Sequence, residues 1–239
     1  MDKEKVFSHY CKLLDEMREE SMAFQDFLIS LNSSNVYHWE FQIANMECGA
    51  TRAAIIDADN GYPYIVKFDI DSDELGDSCC EREIKVYDLA KQKNLNQYFT
   101  EAIYLGEYHR IVSSYNIDDY YDEMSNDEYM NYVHNNNFQP QECVISIPLY
   151  GYERVEVIGI SEHNCSPENE QYARHTNSPL TERSSKIGAL FLENYGETIF
   201  KRLTIFCRTH NINDLHCSNV GYLNNNIVIL DFGSYYCNS

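Results

Sequence analysis

The stretch that most restricts how this chain folds runs from Val220 to Leu230, where two apolar runs, VGYL and IVIL, flank three asparagines. Two β-prone runs joined by turn residues form a hairpin, and a hairpin folds its two ends back together. Asn219, just before the first run, and Asp231, just after the second, therefore become neighbours. An amide oxygen and a carboxylate are hard oxygen ligands of the kind Mg²⁺ takes, one or two from protein and the rest from phosphate and water. Asp214, on the loop before Asn219, reaches the same space. A carboxylate there can orient an attacking hydroxyl and accept its proton, which a phosphoryl-transfer site needs beyond metal and positive charge.

Upstream the periodicity changes several times. Val6, Tyr10, Leu13, Leu14 and Met17 recur at helical spacing, followed by Met22, Phe24, Phe27, Leu28 and Leu31, so residues 3–31 read as one or two amphipathic helices. The runs HWEFQIANM, CGATRAAIIDA and YPYIVKFDI predict a small antiparallel sheet, the last two separated by a turn at Asp59, Asn60 and Gly61. Ser78 followed by Glu81 has the form of a capping box and predicts a helix over EREIKVYDLAKQ. Residues 98–112 and 142–160 return to strand character, and IGALFLENYGETIFKRLTIFCRTH is an apolar helix preceded by a polar loop over 163–185. Tyr115 to Asn137 is acidic, lacks Lys and Arg, and reads as a mobile insertion.

Composition excludes some partners. The 239 residues carry 18 Lys and Arg against 38 Asp and Glu, a net charge of -20 that repels phosphate backbones and anionic membranes. No nucleic-acid or membrane partner is expected, and no apolar run has the length of a membrane span. Nine scattered cysteines, an odd number, point to reduced thiols and a cytoplasmic setting. Cys207, His210, His216 and Cys217 have a spacing suggestive of zinc, but His216 falls inside the loop between Asp214 and Asn219.

The sequence Asp214-Leu215-His216, with Asn219 three residues on, a hairpin, and Leu230-Asp231-Phe232-Gly233, resembles the catalytic and metal-binding loops of the protein kinase-like superfamily, H-R-D-L-x-x-x-N and D-F-G. The resemblance implies an α+β, two-lobed kinase-like fold with an antiparallel-sheet N-lobe and a reduced, mostly helical C-lobe ending just after D-F-G. It divides the chain into a helical extension at 1–37, an N-lobe at 38–150 with the acidic insertion at 115–137, and a minimal C-lobe at 151–239. It implies ATP and Mg²⁺ as cofactors, Asp214 as catalytic base with His216 beside it, and Asn219 and Asp231 as metal ligands. Lys67 on the YPYIVKFDI strand corresponds to the phosphate-binding lysine, and Ile65 on the same face to an adenine contact. Glu83, which shares a helix face with Tyr87 and Ala90, is the expected partner of Lys67, whereas Glu81 and Lys85 pair on the other face. Gly49, Ala50 and Thr51 fall where the phosphate-covering loop belongs, and Ile147, Leu149 and Gly151 where the adenine-binding connector belongs.

The chain also departs from the family pattern. Gly49 stands alone where the family has G-x-G-x-x-G, Ile212 and Asn213 replace the His and Arg before the catalytic Asp, and no A-P-E motif follows Gly233. The short layout looks like the early serine/threonine kinases of short-tailed bacteriophages, which implies a protein substrate, a host protein and the host cytoplasm. His216 is shared with aminoglycoside and choline phosphotransferases, so a small-molecule acceptor is the alternative chemistry. An acidic pseudokinase that only binds a partner is a third reading.

Overall fold

The computed structural model describes residues 1–31, 38–48, 51–59, 61–70, 78–115, 125–157, 186–212, 215 and 219–233. These residues form an α+β protein with an antiparallel sheet and five helices. By compactness the chain divides into two units, Met1–Asp71 with Ile103–Gly151, and Ser72–Ala102 with Tyr152–Ser239.

The first unit begins with helices α1 (Lys3–Glu20) and α2 (Met22–Ser30). Asp2 caps α1 by accepting from the Lys5 N–H, and Ser21 caps α2 by accepting from the Phe24 N–H. The apolar faces read from periodicity are buried, with Val6, Tyr10, Leu14 and Met17 from α1 and Phe24 and Leu28 from α2 joining one core. Each such Leu, Met or Phe contributes about 1.5–3 kcal/mol on leaving water.

That core lies against strands β1 (His38–Glu40), β2 (Ala44–Cys48), β3 (Arg52–Asp57) and β4 (Tyr64–Asp69), an antiparallel meander. The run HWEFQIANM, expected as one strand, breaks at residues 41–43 and doubles back, so His38 faces Glu47 across a hairpin. Two longer strands, β5 (Ala102–Ser114) and β6 (Gln141–Glu153), complete a six-stranded sheet in the order β1-β2-β3-β4-β6-β5. The Asp59–Gly61 turn appears where expected, with Asp59 Oδ1 accepting from the Gly61 N–H at 2.9 Å.

The acidic stretch expected to be mobile contains helix α4 (Asn126–Asn135). Ser125 and Glu128 form a reciprocal capping box, and Tyr129 and Val133 are buried. Its first part, 116–124, lies outside the described residues. Tyr129 donates its hydroxyl to Asp26 Oδ2 at 2.8 Å, and the Ser114 hydroxyl donates to the other oxygen of the same carboxylate.

A second acidic anchor joins α1 to β5. Arg110 grips Asp15 with two donors, Nε at 2.8 Å and Nη2 at 2.7 Å, and the Tyr108 hydroxyl adds a third at 2.8 Å. Gln25 spans the same seam, donating Nε2 to the Ser113 carbonyl at 2.8 Å.

The second unit contains helix α3 (Cys79–Gln92), a 3₁₀ turn at Asn96–Tyr98, strand β7 (Glu156–Val157), helix α5 (Lys186–Thr209), and strands β8 (Val220–Leu223) and β9 (Asn226–Ile229). β7, β8 and β9 form a three-stranded antiparallel sheet. Residues 98–101, expected as strand, precede β5, and the Thr100 N–H donates to the Ile229 carbonyl at 3.0 Å. α5 is interrupted at Gly196, whose φ of 73° and ψ of 171° lie outside helical space. The polar loop at 163–185 lies outside the described residues, and among those described no helix is long and apolar enough to cross a membrane.

Partial burial disfavours the Asp15 carboxylate, but the Arg110 and Tyr108 hydrogen bonds outweigh it and hold its pKa below the usual 3.8. A depressed folded-state pKa means stabilisation that is complete above the unfolded value and is lost as pH falls through the folded one. Asp15→Ala is expected to cost about 1–3 kcal/mol at pH 7 by urea denaturation, with the deficit shrinking as pH falls below about 4. A deficit that persists unchanged at pH 2 would assign the loss to packing instead.

Candidate functional site

The hairpin nominated by the sequence is present. Val220 pairs with Ile229 and Leu223 with Asn226, leaving a two-residue turn at Asn224 and Asn225. Their φ values are 51° and 63°, the paired left-handed conformation that a type I′ turn requires and that asparagine tolerates. Asn226, expected in the turn, is the first residue of β9. At the open end the Leu230 N–H donates to the Asn219 carbonyl at 3.0 Å, which carries the ladder one step beyond the strands. Asn219 is thereby fixed beside the chain that leads into Asp231, and it is buried.

Asp231 has φ 58°, a left-handed backbone that costs an ordinary L-residue roughly 1–2 kcal/mol and aspartate less. The residues after it explain how that conformation is held. Phe232 is buried, its ring 5.2 Å from Phe99, which in turn lies 5.5 Å from Phe206 of α5. The Gly233 N–H donates to Glu83 Oε1 on α3 at 3.3 Å. A Cβ at Gly233 would lie 2.7 Å from the Cys79 carbonyl oxygen and 2.9 Å from Glu83 Cγ, so only glycine fits. Arg82 approaches the carbonyl side of the same residue, its Nη1 3.5 Å from Gly233 O.

Glu83 is fully buried on the face of α3 that also buries Tyr87 and Ala90. Glu81 lies on the exposed face, with its carboxylate 3.8 Å from Lys85, and its N–H is capped by Ser78 Oγ at 3.0 Å. Of the two carboxylates nominated on this helix, Glu83 is the one withdrawn from water.

In the first unit, Lys67 is buried on β4, opposite Ala54. Val66 and Phe68 turn into the apolar core, together with Ala53 and Ile55 of β3. The other face of these two strands therefore carries Ile65, Lys67 and Asp69 from β4 and Arg52 from β3, with Arg52 in register with Asp69. Burying a lysine and an arginine on one small face is uncommon, because neither leaves water without compensation. Thr51 is half-buried, and its carbonyl accepts from the Ile70 N–H at 2.8 Å. Gly49, Ala50, Asp214 and His216 lie outside the described residues.

The stretch expected as a connector differs from expectation. Ile147, Leu149 and Gly151 continue β6, and the first two side chains are buried in the first unit's apolar core. A Cβ at Gly151 would lie 2.8 Å from Met1 Sδ and 3.0 Å from Leu105 Cδ2, so that backbone is itself covered. The apolar pattern of CVISIPLYGY is the pattern of a buried strand, and this is the local cause of the difference.

The zinc arrangement finds no support among the described residues, where no cluster of three His, Cys, Asp or Glu could hold a metal ion. Burial pushes the Cys207 thiol up to about 12, which keeps it protonated and a poor ligand. His216 and Cys217 lie outside the described residues.

Sequence reasoning missed two cations. Arg52 follows directly on Gly49, Ala50 and Thr51 in the sequence, and Arg82 precedes Glu83. Position alone could have found both, since each flanks a residue already singled out. No protein-family model matches this chain, and no curated protein matches it.

Gly233→Ala is expected to cost about 1–3 kcal/mol, since the added methyl meets backbone rather than a movable side-chain end. A urea midpoint equal to that of the unaltered chain would show that the loop is not pressed against α3.

Proposed function

We propose that this protein is an ATP- and Mg²⁺-dependent phosphotransferase of the protein kinase-like kind, whose acceptor is a serine or threonine hydroxyl of a protein. The observation that carries the reading is the placement of Asn219 and Asp231 at the open end of one hairpin, tied by the Leu230 to Asn219 hydrogen bond. Support also comes from the strand order, in which the Lys67 strand β4 lies between β3 and β6. That puts it next to β3, which begins at Arg52, directly after residues 49–51 in the sequence.

The donor set suits the ion. Asn219 offers an amide oxygen and Asp231 a carboxylate, and Mg²⁺ takes one or two protein oxygens and completes its shell from phosphate and water. Bound there, the metal would neutralise charge on the β- and γ-phosphates. Lys67 and Glu83 would position the phosphates. Asp214 accepts the proton of the acceptor hydroxyl as that oxygen bonds to the γ-phosphorus and the bond from phosphorus to the ADP oxygen breaks.

Two substitutions separate these roles. Asp214→Asn is expected to lower transfer of labelled γ-phosphate by about 10²–10⁴-fold while nucleotide binding persists. Asp231→Asn is expected to weaken Mg²⁺-dependent nucleotide binding as well. The assay follows label into the chain itself and into a bacterial lysate. Undiminished transfer by Asp214→Asn would remove this reading, and label in small alcohols but in no protein would move the acceptor to the small-molecule class.

A further inference from the structure

We propose that the groove between the end of α3 and the outer face of α5 is a binding site for a small aromatic anion, lined by residues other than those assigned to phosphoryl transfer. The groove encloses about 380 Å³ and is lined by Lys93, Leu95, Arg202, Ile205, Phe206, Thr209 and His210. That volume lies within the range of small-ligand sites. All of these residues belong to the second unit.

Three features define the ligand's chemistry. The groove gathers Lys93, Arg202 and His210 in a chain of net charge -20, and no carboxylate lines it among the described residues. Neighbouring cations on the same helices are matched by acids, Lys91 to Asp88 at 3.3 Å and Lys201 to Glu197 at 3.2 Å. Lys93 and Arg202 have no carboxylate partner among the described residues, and Arg202 is instead aimed by a 2.6 Å hydrogen bond from Nη2 to the Lys93 carbonyl. Burial, with the Lys93 charge beside it, pushes the His210 imidazole below its ordinary value, as expected where positive charge is gathered without a counter-ion.

The floor is apolar. Leu95 and Phe206 are buried beneath the groove, the His210 ring lies 4.5 Å from that of Phe206, and Ile205 is 65% exposed, the highest value of any large apolar side chain among the described residues. A bare inorganic anion meets the repulsion of the whole chain and gains nothing from this floor, whereas a ring bearing an anionic group matches both parts. Cations stacked near an aromatic ring add to the attraction for a planar ligand.

The test uses the full chain and benzenesulfonate, which stays anionic at every working pH, with sulfate and phenol as the two half-ligands. Binding is followed by NMR at the Ile205 methyl group and the His210 ring. Saturable shifts at both residues are expected, with benzenesulfonate at least about tenfold tighter than either sulfate or phenol. Lys93→Glu and Arg202→Glu, both at exposed positions, are each expected to weaken it by about tenfold or more. No saturable shift, equal affinity for sulfate or phenol, or unchanged affinity in both variants would overturn the proposal. None of these readouts depends on phosphoryl transfer, so the two readings fail separately.

Discussion

The second unit depends on one buried contact, the Gly233 N–H held by the Glu83 carboxylate with the glycine pressed against the first turn of α3. A fully buried carboxylate is costly unless it is hydrogen-bonded, so its bond to Gly233 is also part of what makes its burial tolerable. From that point the chain is constrained backwards. Phe232 is buried against Phe99, Leu230 is laddered to Asn219, and Asp231 between them takes a left-handed backbone. The position of Asp231 thus follows from its neighbours on both sides. A residue held this way has little freedom left to lose on binding a ligand, which is the physical meaning of a pre-organised site.

The first unit relies on acids for a different purpose. Asp15 holds Arg110 and Tyr108, Asp26 accepts from Ser114 and Tyr129, and Asp57 is bound to His9 and to the Asp59 N–H. Each ties a helix to a distant strand or to another helix. The acidic excess of this chain is therefore partly structural, and a reading of it as solvated surface alone undercounts what the aspartates do. Burial raises the Asp26 pKa against the lowering by its two hydroxyl donors, so this carboxylate, unlike Asp15, is held at some expense to stability at neutral pH.

What could be read from the sequence was what is local and periodic. The buried faces of α1 and α2, the Ser78 cap, the β8–β9 hairpin and the shared helix face of Glu83, Tyr87 and Ala90 all follow from spacing within a few residues. The break between β1 and β2 was not legible, because no Gly or Pro marks it. α4 was hidden by composition: its acidity argued for mobility, while the Ser125 and Glu128 capping box and the buried Tyr129 decided otherwise. Left-handed turns were hidden by residue type. Asn94, Asn137 and Asn211 take positive φ just after α3, α4 and α5, positions where glycine is the usual signal. The contacts of Asp15 with Arg110 and of Glu83 with Gly233 join residues far apart in the chain, and no local pattern announces them.

The charge of the chain sets a condition on the proposed chemistry. ATP is a polyanion, and a chain of net charge -20 repels it at long range. At physiological salt the Debye length is about 8 Å, so carboxylates beyond that distance are largely screened and the balance is decided by nearby groups. Each unit has cations of its own among the described residues. Lys67 and Arg52 share one buried sheet face in the first unit, and Arg82 lies beside the Gly233 loop in the second. Asn219 and Asp231 between them add only one negative charge, so under the proposed chemistry the hairpin end would repel phosphate weakly while still offering a divalent ion two oxygen ligands. A second carboxylate in place of Asn219 would bind the ion more strongly while repelling the phosphates it has to neutralise, so the pairing of one amide with one acid suits a chain already this acidic.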